Sequence, residues 1–165
     1  MPLERYVMLD QTQLDIALAF ALESRAAARS QAFALKAAQE NRGPEARLFR
    51  ALSASQSVAA RRWLMLLRGK IGDTGQNLQE AFQEEMPWKL ECYAQWQART
   101  AGGPAKAFEQ AGEIARRQEE LYHGHSPSEE TPYQVCAVCG CPALGPVTER
   151  CPVCGALPEK FQAVD

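Results

Sequence analysis

No apolar run in these 165 residues approaches the roughly 18 needed for a membrane-crossing helix, because charges interrupt every long stretch. The opening Met1-Pro2-Leu3-Glu4-Arg5 lacks the basic start and apolar block of a secretory signal. The expectation is a cytoplasmic protein with no membrane partner. Neither sign of charge is in large excess: 18 Lys and Arg against 20 Asp and Glu leave a net −2, which excludes global steering toward nucleic acid or anionic lipid. The chain has no phosphate-cradling glycine loop, no nucleophile–base motif and no dinucleotide fingerprint. Histidine is scarce. His123 and His125 are the only two, and they stand in His-Gly-His-Ser-Pro, whose composition reads as a solvated linker.

What is present falls into two parts. From Thr12 to about Tyr122 the chain is rich in Ala, Leu, Gln, Glu and Arg, all good helix formers. Thr12-x-x-Asp15 reads as a helix cap, and a first helix is expected from there to about Glu40. Asn41-Arg42-Gly43-Pro44 ends it and starts a second that runs to about Lys70. Gly72-Asp73-Thr74-Gly75 separates off a third, over 76–100, in which Pro87 predicts a kink or a division. Gly102-Gly103-Pro104 precedes a fourth. Four such helices with short connections predict a mainly α four-helix bundle over 1–122, followed by a linker over 123–132. The tail, 133–165, is too short and too poor in core residues to hold one fold without a metal.

That tail carries the chemistry. Four of the six cysteines form two echoing segments, Cys136-Ala-Val-Cys139-Gly140 and Cys151-Pro-Val-Cys154-Gly155. Two intervening residues let both thiolates of a pair reach one ion about 2.3 Å away. The glycine after each pair can take a left-handed conformation and aim backbone N–H groups at the sulfurs. Two such knuckles predict tetrahedral S₄ coordination by Cys136, Cys139, Cys151 and Cys154, the geometry of zinc or of a single iron. Spacing does not separate the two metals. Cys141 reads as a small filler or a spare thiol at the edge of the site, and Cys92 as core.

The order of parts, with several local motifs, resembles the rubrerythrin family: a ferritin-like bundle followed by a rubredoxin-like Cys₄ domain. The residues that carry the likeness are Phe20-Ala21-Leu22-Glu23-Ser24-Arg25-Ala26 on the first helix and Ala46-Arg47-Leu48-Phe49-Arg50-Ala51 on the second. Asn77-Leu78-Gln79 and Glu91-Cys92-Tyr93 carry it on the third, and Cys151-Pro-Val-Cys154 with Phe161 in the tail. The resemblance implies one iron per chain at the four cysteines, electron transfer to a di-iron peroxidase centre in the bundle, a redox partner protein and a homodimer. It also exposes departures. Glu23 and Glu85 match family ligands, but Gln56 and Ala59 stand where Glu and His are required on the second helix, both on its expected inward stripe Leu48, Leu52, Gln56, Ala59, Trp63. Trp88, on the inward stripe Ala81, Glu85, Trp88, Cys92, Trp96, occupies the second ligand position of the third helix and is expected to pack the bundle interior with Trp63 and Trp96, and Ala115 and Gln118 occupy the ligand positions of the fourth. Between 46 and 70 there is no Asp, Glu or His at all. The di-iron centre is therefore expected to be lost, with Glu23 and Glu85 as the candidates for a residual metal site.

Arg47, Arg50, Arg61 and Arg68 share one face of the second helix. This reads as a solvated outer face, or as a docking surface for an acidic redox partner. No aromatic residue is interleaved to favour single-stranded nucleic acid, and no nucleic-acid partner is expected. The expected function is one-electron transfer through a mononuclear Fe(Cys)₄ site linked to oxidative-stress defence. The alternatives are a non-redox interaction protein with a structural zinc, and a peroxidase built around Glu23 and Glu85.

Overall fold

The computed structural model describes residues 10–68, 71–124 and 131–164, with the side chain of Arg68 left out. Most of the expected linker, including His125, lies outside the described residues. None of the described helices is long and apolar enough to cross a membrane. The chain divides into two compact units, one ending at Gly72 and the other running from Asp73 to Asp165.

The first unit is a helical hairpin of α1 (Gln11–Gln39) and α2 (Gly43–Arg68). The cap of α1 is Asp10 and not Thr12. The Asp10 carboxylate accepts from the Gln13 backbone N–H at 2.8 Å, while the Gln13 side chain accepts from the Asp10 N–H at 3.1 Å, a reciprocal capping box. The turn after α1 places Asn41, not Gly43, in the left-handed region at φ 58°. Arg42 N then donates to Ala37 O at 2.8 Å and Asn41 N to Ala38 O at 3.1 Å, a Schellman closure that satisfies the last carbonyls. The seam between the helices is made of small side chains. Ala27, Ser30, Ala34, Ala37, Ala46 and Ala60 are buried, and Ser53 Oγ donates to Ala27 O at 3.0 Å. Of the expected inward stripe on α2, Gln56, Ala59 and Trp63 are half-buried. Leu48 and Leu52 are exposed, because the close approach of alanine-lined helices leaves larger residues beside the seam rather than in it.

In the second unit the expected third helix is three segments: α3 (Thr74–Gln79), a π-helical turn (Glu80–Glu85) and α4 (Met86–Ala98). Pro87 is the physical reason. It lies in the first turn of α4, where its missing N–H costs nothing, and the widened π turn before it avoids the clash its ring would make with a preceding carbonyl. The extra residue in that turn also rotates the helical face of α4. Cys92 and Met86 are buried, whereas Trp88 and Trp96, expected to fill the bundle interior, are each 37% exposed. α5 (Gly102–Gly124) runs two residues past Tyr122, so His123 belongs to its last turn. Tyr122 stacks on Phe82 with ring centroids 4.1 Å apart, and Trp96 packs on Phe108 at 5.6 Å.

The tail adds a three-stranded antiparallel sheet in the order β2-β1-β3, from β1 (Tyr133–Cys136), β2 (Pro142–Leu144) and β3 (Phe161–Val164). Tyr133 lies opposite Leu144, and Cys136 opposite Phe161. A 3₁₀ turn, Pro158–Lys160, leads into β3.

Candidate metal centre

Each knuckle is built the same way. In the first, Gly140 N donates to Cys136 O and Cys136 N to Cys141 O, at 2.8 and 2.9 Å. In the second, Gly155 N donates to Cys151 O and Cys151 N to Ala156 O, both at 2.8 Å. These closures require a left-handed residue after the second cysteine, and Gly140 and Gly155 supply it at φ 81° and 73°. An added Cβ on Gly155 meets nothing within 4 Å. Gly155→Ala is thus expected to cost only the backbone strain, about 1–2 kcal/mol, and to lower the thermal midpoint without loss of bound metal. Loss of metal in that variant, measured by elemental analysis, would contradict this account of the turn.

The two turns bring together all four predicted ligands. Every sulfur of Cys136, Cys139, Cys151 and Cys154 lies within 4.8 Å of the others, with Cys136–Cys154 at 3.8 Å and Cys139–Cys151 at 3.6 Å. A tetrahedral ion with bonds of about 2.3 Å needs sulfurs about 3.8 Å apart. The donor set therefore fits a tetrahedral thiolate-bound ion. The sulfurs are not disulfide-bonded. Cys136 and Cys151 are buried, while Cys139 and Cys154 are partly open to solvent.

Backbone dipoles favour the charged sulfurs against burial. At Cys151 burial pushes the thiol up. The N–H groups of Cys154 and Val153 more than offset this and bring the thiol down from its ordinary 9.0 to about 7. Burial raises Cys139 despite a hydrogen bond from Cys141. At Cys154 a bond from Ala156 opposes burial, yet the neighbouring sulfurs leave the thiol raised. Thiols packed this closely resist joint ionisation, so a cation entering the site must displace protons.

Some of the setting has no local sequence signal. Ile114 of α5 packs against the cluster, and Gln110 donates to Val153 O at 3.4 Å. Arg150 Nη1 donates to Gly155 O at 3.0 Å, and Ala137 N to Lys160 O at 2.8 Å. Phe161, singled out from the sequence, packs on the cluster. Cys141 is fully buried beside the ligands, with its thiol pushed up to about 12 by burial, the environment of a filler.

The two candidate glutamates belong to different units. Glu23 is half-buried on the α1–α2 hairpin and lines a cavity of about 510 Å³ with Ala59, Arg62 and Trp63. Glu85 is half-buried at the end of the π turn. Among the described residues, the four cysteines are the one group of three or more His, Cys, Asp or Glu side chains positioned to share an ion.

No protein-family model matches the chain, and no curated protein matches it. Solved structures do. Partially reduced nigerythrin is similar at 19% identity and a TM-score of 0.50, over 96% of this chain and 89% of that one. Its mixed-valence and fully reduced, all-ferrous states match over the same shares at 20% and 19% identity, with TM-scores of 0.48. The chain therefore has the fold of nigerythrin, a rubrerythrin-type protein: the helices of a ferritin-like bundle followed by a rubredoxin-like four-cysteine module.

Proposed function

We propose that the tail holds a single iron at Cys136, Cys139, Cys151 and Cys154 and that the protein passes single electrons to or from a redox partner protein in oxidative-stress defence. The observation that carries this reading is the four-sulfur cage with spacings of 3.6 and 3.8 Å. Iron held there would change oxidation state by one electron. The chain's own contribution is the cage and its N–H groups. Those of Cys141, Val153, Cys154 and Ala156 point at sulfurs, the arrangement that lowers the energetic difference between two charge states of a thiolate site. Half-exposed Cys139 and Cys154 give an electron a short route to the surface.

We further propose that the di-iron centre of rubrerythrins is lost. Gln56, where that family has Glu, shares a 2.8 Å hydrogen bond with buried Ser30, and its amide nitrogen in the flipped orientation also reaches Ala26 O and Leu52 O. A neutral amide locked to the helix backbone is no metal bridge. Ala115, where the fourth helix should offer Glu, is fully buried and has no donor atom. Gln118, where it should offer His, accepts from the Lys89 ammonium at 2.7 Å, and a fixed positive charge there disfavours metal cations.

The loss of those ligands also favours a second reading, a structural zinc in an interaction protein, because an electron relay without a catalytic site has no evident client. The visible spectrum separates the two. Protein purified with iron is expected to be red and to bleach on reduction by dithionite. Colourless protein with one equivalent of zinc would reject the iron reading. Two further irons per chain, with NADH-linked peroxide turnover, would reject the loss of the helical centre.

A further inference from the structure

The tail and α5 border a cavity of about 530 Å³ that the metal cage does not use. That volume falls within the range of roughly 300–1,000 Å³ seen for small-molecule sites. Its walls are largely apolar, with Leu121 from α5, Leu144 from β2 and Val147 from the segment between the knuckles. Cys141 and Phe161 form the wall next to the cage. Both belong to the cluster that buries the ligands Cys136 and Cys151. An occupant would therefore sit one side chain away from the cage, on the side of its buried sulfurs and not of the half-exposed Cys139 and Cys154.

The polar groups narrow the choice of occupant. Arg117 and Arg150 line the cavity together with Glu120 and Glu149, and the four charges cancel. Such a lining selects neither a free anion nor a metal cation, and it suits a neutral ligand with an apolar body. Arg117 keeps hydrogen-bonding capacity in reserve. Its Nη1 donates to Glu120 Oε2 at 3.0 Å. Its Nε is buried and makes no hydrogen bond, although Glu113 Oε1 pairs with it by charge at 3.4 Å. A guanidinium can bond an oxygen in its plane and can also stack on an aromatic face.

We propose that this cavity binds a planar conjugated ring bearing carbonyl oxygens, the chemistry shared by flavins and quinones. The apolar walls take the faces of the ring, Phe161 offers it an aromatic surface, and the Arg117 guanidinium takes a ring oxygen. Rings of this class carry electrons, and Phe161 joins their seat to the sulfur cage. Use of the cavity as an electron entry rests on the electron-transfer reading. The binding rests only on the walls.

The full chain loaded with zinc tests the binding apart from the identity of the native metal. Riboflavin and menadione are the probes. Quenching of riboflavin fluorescence, and calorimetry with menadione, are expected to show saturable binding of one ring per chain. Binding of both supports the shared ring chemistry, riboflavin alone assigns the flavin and menadione alone the quinone. Saturable binding of neither would overturn the proposal, and would leave the iron reading to its own test by visible spectrum. In the ¹H–¹⁵N spectrum of the labelled chain, the ring is expected to move the resonances of Leu121, Leu144, Thr148 and the Arg117 Nε–H. Shifts confined to other residues would also overturn it. Val147→Trp fills the cavity and is expected to weaken binding about tenfold or more at unchanged zinc content. Undiminished binding in that variant would place the ring elsewhere and overturn the assignment. The spectrum uses the unmodified chain and stands whether or not the variant folds.

Discussion

A Cys151→Ser protein is expected to purify with its metal content cut to a small fraction of the wild-type value and with residues 133–165 open to protease, while the helices keep their circular dichroism. The reason is energetic. The tail is 33 residues long, and its buried core is little more than Cys136, Cys141 and Cys151 with Phe161 and Ile114 against them. A core of that size cannot meet the conformational entropy of the segment. A structural thiolate site contributes on the order of 10–16 kcal/mol, which makes metal binding and tail folding one event. Cys151 is the harshest place to interfere, because its sulfur is buried and takes two backbone N–H groups. Cys141→Ser provides the contrast. It places a hydroxyl where a buried thiol filled space, at about 1–3 kcal/mol, and should keep the metal. Equal metal loss in both variants, measured by elemental analysis, would mean that burial rather than ligation governs the site.

Acid is expected to strip the centre cooperatively, and the direction is set by the thiols. Burial holds Cys139 above its ordinary 9.0 and the neighbouring sulfurs leave Cys154 raised as well, so in the folded cage protons compete with a metal for both sulfurs. Cys151 is held down at about 7. A thiol whose folded value is depressed contributes stability that is complete above its unfolded value near 9 and lost as pH falls through about 7. Below that point a proton competes for Cys151 too, and the apparent metal affinity should fall by on the order of a thousandfold or more for each further pH unit. Titration from pH 8 to 5 with a colorimetric chelator present should show a plateau, then a steep release below 7. Release that is gradual, or that is already under way at pH 8, would contradict the assigned roles.

The legible features were those written in local chemistry. The doubled Cys-x-Val-Cys-Gly announced the centre, because ligand spacing and the need for a left-handed residue are both fixed by bond lengths and sterics. The helical runs were legible from composition and from Gly and Pro punctuation. What could not be read was set by neighbours. Asp10 displaced Thr12 as the cap because its carboxylate reaches the Gln13 N–H and receives the reciprocal bond. The division of the third helix at Glu80–Glu85 is a response to Pro87 whose form depends on packing. The stripe Ala81, Glu85, Trp88, Cys92, Trp96 assumed an unbroken 3.6-residue period, and the widened turn turned Trp88 and Trp96 partly toward solvent. Gln110 and Ile114 reach the knuckle across dozens of residues, and no pattern in α5 marks them.

The alanine seam of the first hairpin makes its evolution directional. Ala34 is 2% exposed and Ala46 likewise, so these methyl groups set how near the two helix axes can come. Trimming such a position gives up little apolar contact, whereas enlarging it wedges the helices apart along their whole length. The Ser30–Gln56 bond, made at that short range, would be stretched beyond reach by the same wedge. The polar crosslink thereby acts as a gauge of helix separation and admits only small neighbours.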